Sequence, residues 1–215
     1  VPSKTKTGLW PRVVLGAASM ASGGALLAYF LTGTPLHIAL AATVGLGVGA
    51  WVVVWRALPA AARKALAQRA RIGLLVGLCA TAAYDVSRWL LVETTGSTVR
   101  PFDAWPLFGE LLGAGDRTTT SALVVGFAFH LVNGLGFAVG YTIVLAEKGV
   151  IAGIIWALVL ETVMVSFYPG WLGLKALDEF ISVTVFGHFA YGAVLGWLAR
   201  ALVRRSRERE PAWKG

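Results

Sequence analysis

The chain has 215 residues, of which 57% are apolar and only 14% charged, with a mean hydropathy of +0.71. A soluble domain carries roughly 45–50% apolar and about 25% charged residues, so this one lacks the polar side chains to cover a globule, and its single cysteine, Cys79, excludes a disulfide scaffold. The formal charge of +8 does not mark a nucleic-acid surface, because the Lys and Arg residues sit between or beyond long apolar runs, the footprint of cytoplasmic loops.

The sequence therefore reads as an all-α integral membrane protein. A helix needs about 20 mostly apolar residues to cross a hydrocarbon core of about 30 Å. Six stretches meet that need: about 13–31, 36–55, 72–92, 119–146, 150–168 and 177–203. They predict a single domain over 1–215, a six-transmembrane-helix bundle, with a basic tail over 204–215. The first stretch follows Lys4, Lys6 and Arg12 as a secretory signal would, yet it outruns the usual signal core, and Thr32-Gly-Thr-Pro35 leads straight into the next span. It reads as a retained helix in a tight outer hairpin.

The loops alternate in charge. Arg56, Arg63, Lys64, Arg69 and Arg71 fill the second loop, Glu147 and Lys148 the fourth, and Arg200, Arg204, Arg205, Arg207, Arg209 and Lys214 end the chain. Acidic residues concentrate in the third loop (Glu93, Asp103, Glu110, Asp116) and the fifth (Asp178, Glu179). By the positive-inside rule both termini are cytoplasmic, and the size and loop economy suit a bacterial plasma (inner) membrane. Residues 58–69 read as a short basic helix lying on the cytoplasmic surface. The outer segment 101–112 is too short to span, and its Phe102, Trp105, Leu107 and Phe108 suit an interfacial or re-entrant element.

Glycines cluster inside the spans. Ser19/Gly23, Gly45 to Gly49, Gly136/Gly140 and Gly192/Gly196 place small residues near four-residue spacing, the pattern of closely packed helix faces in lipid. His130-Leu-Val-Asn-Gly134 also echoes His188-Phe-Ala-Tyr-Gly192, as an internal repeat would.

Ionisable residues inside a span cost about 2.5–3.5 kcal/mol each on insertion scales, so they face the bundle interior and mark a site. Here they are Asp85 and Arg88 in the third span, His130 in the fourth, Glu161 in the fifth and His188 in the sixth. His130, Glu161 and His188 each stand eleven residues from one end of their span, about 16 Å at 1.5 Å per residue. Asp85 stands seven residues from the outer end of its span, about 10 Å down. The sequence thus predicts a polar site at middle-to-outer depth. Asp85 and Arg88, three apart on one face, are placed to neutralise each other, and Arg88 has the alternative of snorkelling outward beside Trp89. Glu161 has no basic neighbour on its own helix and needs protonation, a partner from another helix or a cation. His37, near the outer end of the second span, reads as interfacial. Tyr84, Asn133 and Tyr191, each within a turn of an ionisable residue, are placed to orient imidazoles or line a solute path.

Proton- or cation-linked transport of a small solute or ion is the leading reading of that site, a relay of Asp85, Arg88, His130, Glu161, His188, Tyr84, Asn133 and Tyr191. The alternative is metal or haem chemistry, an intramembrane enzyme or redox subunit in which His130 and His188, with Glu161, ligate a transition metal or serve as axial ligands. A third reading makes the chain an accessory subunit whose polar groups only hold helices together. The expected partners are the bilayer itself, a small solute, ion or lipid, and a second copy or a larger membrane complex. There is no Walker-type phosphate loop, no Gly-x-Ser-x-Gly elbow, no His-Glu-x-x-His and no lysine within a span.

Overall fold

The computed structural model describes residues 8–167 and 177–209. Every regular element among them is a helix: α1 (Leu9–Ser19), α2 (Ala21–Thr32), α3 (Leu36–Ala57), α4 (Ala60–Thr95), α5 (Ala104–Leu111), α6 (Thr120–Val144), α7 (Val150–Phe167) and α8 (Leu177–Glu208), with one 3₁₀ turn at Ala146–Lys148. Four helices, α3, α4, α6 and α8, are long and apolar enough to cross a membrane, and α1 with α2 makes a fifth when the bent pair counts as one span. The apolar run of α7, Val150–Met164, is shorter than that standard.

The boundaries follow local chemistry. The chain bends by 63° between α1 and α2, next to Ser19, whose hydroxyl bonds back to the Leu15 carbonyl at 2.8 Å. Such back-bonding and small residues are the usual causes of a sharp kink. Gly33 ends α2 in the left-handed conformation (φ 69°) and its N–H bonds to the Tyr29 carbonyl. Pro59 holds Leu58 extended and separates α3 from α4.

From there α4 runs unbroken for 36 residues, about 54 Å at 1.5 Å per residue. Residues 58–69 are therefore not a separate surface helix. Beyond Pro59 the segment is rich in Ala, Leu, Arg, Lys and Gln, all strong helix formers, and nothing interrupts it before Ile72. Its Ala62 and Leu66 are buried, and Leu66 clusters with Leu15, Val139 and Ile143 instead of facing headgroups.

The helices form an arc in which each packs on the next: α3 on α1 and α2, these on α6, α6 on α4, α4 on α8, and α8 on α7. α5 sits on α6. Glycine permits two of these contacts. A Cβ at Gly126 would overlap the Trp105 carbonyl that α5 presses onto it, and a Cβ at Gly196 would come within 2.8 Å of the α7 backbone at Val150. Gly45 and Gly49, by contrast, face open space.

One end of the bundle is tied by charge. Arg12 donates to the Ile143 and Val144 carbonyls at 2.8 and 3.1 Å, and Arg69 donates to the Thr142 carbonyl at 3.1 Å. These guanidiniums cap the carbonyl end of α6, where the helix dipole favours positive charge. Arg69 also pairs with Glu147, which accepts a second bond from Arg207 at 2.7 Å. Burial by itself pushes the Glu147 carboxyl up, but hydrogen bonds from Arg207 and Arg69 outweigh it and hold the group below its ordinary value.

Candidate functional site

The hollow of the arc holds a cavity of about 480 Å³, within the range of small-molecule sites. Its walls are mostly apolar, with contributions from α2, α5, α6 and α7, and its polar side chains come from α4, α6 and α8. The ionisable residues that the sequence places within apolar helices meet here in two pairs.

In the first pair α6 presents His130 toward α4, and its Nε2 lies 3.0 Å from Oδ2 of Asp85. In the second, Glu161 of α7 faces α8, and its Oε2 lies 2.8 Å from Nδ1 of His188. The Thr184 hydroxyl donates to the other Glu161 oxygen at 2.6 Å. The same Nδ1 of His188 lies 2.9 Å from the Thr184 carbonyl. Hydrogen-bond angles favour that carbonyl, so Oε2 of Glu161 meets the ring as a charge contact and has no hydrogen-bond donor of its own. Glu161 is 3% exposed, and a carboxylate so placed needs these partners.

Both imidazoles line the cavity while both carboxylates stand behind them. Tyr84 joins the pairs, its ring 4.9 Å from His188 edge-on and 5.9 Å from His130. Trp105 of α5 covers His130 from the other side at 5.6 Å.

Arg88 does not snorkel. It is 4% exposed, whereas Trp89 is 48% exposed. The guanidinium lies over the Tyr84 ring at 4.6 Å and donates to the Pro101 carbonyl of the segment leading into α5. Its contact with Asp85 is loose, 3.9 Å, because Asp85 turns its other oxygen to His130. The two residues do not form the self-contained pair that their spacing suggests. Gly187 makes room for this arrangement, since a Cβ there would fall 2.7 Å from the Arg88 stem and 2.8 Å from the Tyr84 ring.

Tyr191 does not orient His188. Its hydroxyl donates to the Gly134 carbonyl of α6 at 2.7 Å and ties α8 to α6. Asn133 lines the cavity, and its side-chain oxygen has no hydrogen-bond donor. His37 is exposed. Thr184, Gly187 and Thr81 belong to the site and carry no sequence signal of their own, and Trp105 of the outer segment joins them. No group of three or more His, Cys, Asp and Glu side chains converges as a metal site among the described residues, so the alternative in which His130, His188 and Glu161 ligate a metal gains no support from the geometry.

Residues 67–210 match the family of unknown function DUF6789. The chain belongs to that family. The DUF6789 match takes in most of α4 and all of α5, α6, α7 and α8, and so includes Asp85, Arg88, His130, Glu161 and His188. The helices α1 to α3 precede it, and of these α1 and α2 complete the cavity wall on one side. No curated protein and no solved structure matches the chain.

Proposed function

We propose that this DUF6789 member is a proton-linked carrier for a small solute. In this reading the helices form a six-span bundle in a bacterial inner membrane with both termini cytoplasmic, α1 and α2 acting as one bent span and α7 as a short one. The observation that carries it is the pair of carboxylate-backed imidazoles on one largely apolar cavity. Imidazole changes charge near neutral pH, and a carboxylate behind it stabilises the imidazolium and fixes the ring. A proton taken by His130 or His188 is therefore held without leaving an uncompensated charge in a medium where one is costly.

The charge balance supports a single mobile proton. With Asp85 and Glu161 ionised, Arg88 cationic and both imidazoles neutral, the cluster carries one net negative charge, and a proton on either ring cancels it. Solute in the cavity touches the imidazoles directly, so binding and protonation act on each other through contact.

The test is reconstitution. Proteoliposomes holding an internal pH dye are given a panel of small organic cations, anions and neutral solutes. The wild type is expected to move protons in response to at least one of them, and Glu161→Gln, expressed to the same level, is expected to lose that response. A Glu161→Gln variant with wild-type proton flux would overturn the proposal, as would a wild type silent to every solute class.

A further inference from the structure

Building on the carrier reading, we propose that the solute is a lipophilic monovalent organic cation, that it exchanges for one proton, and that it enters the cavity sideways between α2 and α7. Three features point there: the charge of the site, its buried atoms without a hydrogen-bond partner, and the chemistry and shape of its walls.

The ionisable groups that face the cavity, or in the case of Asp85 and Glu161 back the imidazoles that do, can be named helix by helix. α4 supplies Asp85, Arg88 and Tyr84, α6 supplies His130, α7 supplies Glu161, and α8 supplies His188 and Tyr191. The α1, α2 and α5 residues on the cavity are uncharged. Arg88 is already engaged by the Pro101 carbonyl, the Tyr84 face and Asp85. What remains is one negative charge spread over two carboxylates behind neutral rings. A proton cancels it, and so does a monovalent cation in the cavity. Two cations together would overcharge a low-dielectric site, so the two compete.

Buried atoms that lack a hydrogen-bond partner favour the same sign. At the site these are Oδ1 of Asp85, Oε2 of Glu161, Oδ1 of Asn133, the Thr81 hydroxyl and Nε of Arg88. Three are pure acceptors, one serves either way and one is a donor. An anion would meet a surplus of acceptors, whereas a cation is met by groups lacking a donor.

The walls suit an apolar body around that charge. Phe30, Tyr84, Trp105, Phe108 and Phe137 bring aromatic rings to the cavity, with Met20 and Met164 beside them. Aromatic faces attract organic cations, and methionine adapts to varied shapes. The route follows from the arc. Leu27 and Phe30 of α2 and Val159 and Val163 of α7 all line the cavity, yet α2 packs on α3 and α6, while α7 packs on α8. Met164 of α7 packs on the apolar cluster to which α2 contributes Ala25 and Leu26, but Val159 and Val163 are exposed as well as lining the cavity, so the wall between the two flanking helices is open to the outside of the bundle there.

Isothermal titration of the full-length protein in detergent tests this with benzyltrimethylammonium, its uncharged carbon analogue neopentylbenzene, and benzenesulfonate. Repeating the titration in buffers of different ionisation enthalpy counts protons. Benzyltrimethylammonium is expected to bind with release of close to one proton per ligand, its affinity rising about tenfold per pH unit while the site is protonated. Neopentylbenzene and benzenesulfonate are expected not to bind. A His130→Asn/His188→Asn variant is expected to bind the cation with no proton release. Cation binding without proton release in the wild type would overturn the inference, and so would preferential binding of benzenesulfonate or of the neutral analogue. Leu27→Trp with Val163→Trp is expected to slow association at least tenfold; unchanged association would overturn lateral entry. Proton release on binding without flux in liposomes would sink the carrier reading alone, whereas proton flux driven only by anionic or neutral solutes would sink this inference alone.

Discussion

Replacing Thr184 by valine removes one hydroxyl and almost nothing else. Thr184 is 1% exposed and its hydroxyl donates to Oε1 of Glu161 at 2.6 Å, with the Ile181 carbonyl of its own helix the alternative acceptor at 3.0 Å. Valine keeps the shape, so no cavity opens. The loss is the hydrogen bond to a charged acceptor, about 1.5–3 kcal/mol. For a chain of this size each kcal/mol moves the melting temperature by about 2–4 °C, so the variant should melt roughly 3–12 °C lower. The assay is thermal unfolding in one detergent followed by tryptophan emission. The same substitution in a Glu161→Gln background separates the charged bond from general damage. There the hydroxyl meets a neutral amide, and its loss should cost about 1 kcal/mol. Thr184→Val melting with the wild type would refute the reasoning, as would an equal loss in both backgrounds.

Other expectations concern packing and the charged end of the bundle. Gly187→Ala should cost about 1–3 kcal/mol by overpacking, because its Cβ would lie 2.7 Å from the Arg88 stem; unfolding in detergent measures it. Gly126→Ala should cost at least as much, since the atom it meets is the backbone carbonyl of Trp105 rather than a movable side chain, and protease sensitivity around α5 should rise with it. Glu147 is half-exposed, so its two arginine bonds together stabilise by about 1 kcal/mol at most. Its carboxyl is held below the ordinary value by Arg207 and Arg69 against the effect of burial, so the contribution is present above the ordinary carboxylate range and fades as pH falls through the lowered value. Melts of Glu147→Gln and wild type should therefore differ at pH 7 and converge on acidification.

The sequence conveyed the helical class and the residues that meet at the cavity better than it conveyed who pairs with whom. Matched depths of His130, Glu161 and His188 follow from spacing along regular helices, and spacing survives folding. The i, i+3 relation of Asp85 and Arg88 points to a mutual pair, but that rule sees one helix only. His130 arrives from α6 and takes Asp85, and Pro101 takes Arg88. Thr184 and Gly187 looked like ordinary small residues of an apolar run, because their roles exist only once α7 and α4 lie against α8. The kink near Ser19 and the continuity of α4 past residue 69 were hidden for related reasons. The first turns on a side-chain hydrogen bond to the backbone. In the second, strong helix propensity and burial of Leu66 outweigh the basic character of the segment.

In the proposed carrier the imidazoles of His130 and His188, backed by Asp85 and Glu161, carry the proton. Solute-driven proton flux in proteoliposomes, compared between wild type and a His130→Asn/His188→Asn variant of equal melting temperature, tests it most directly. Flux in the variant is expected to fall to the level of empty liposomes. Flux at the wild-type rate would contradict the account.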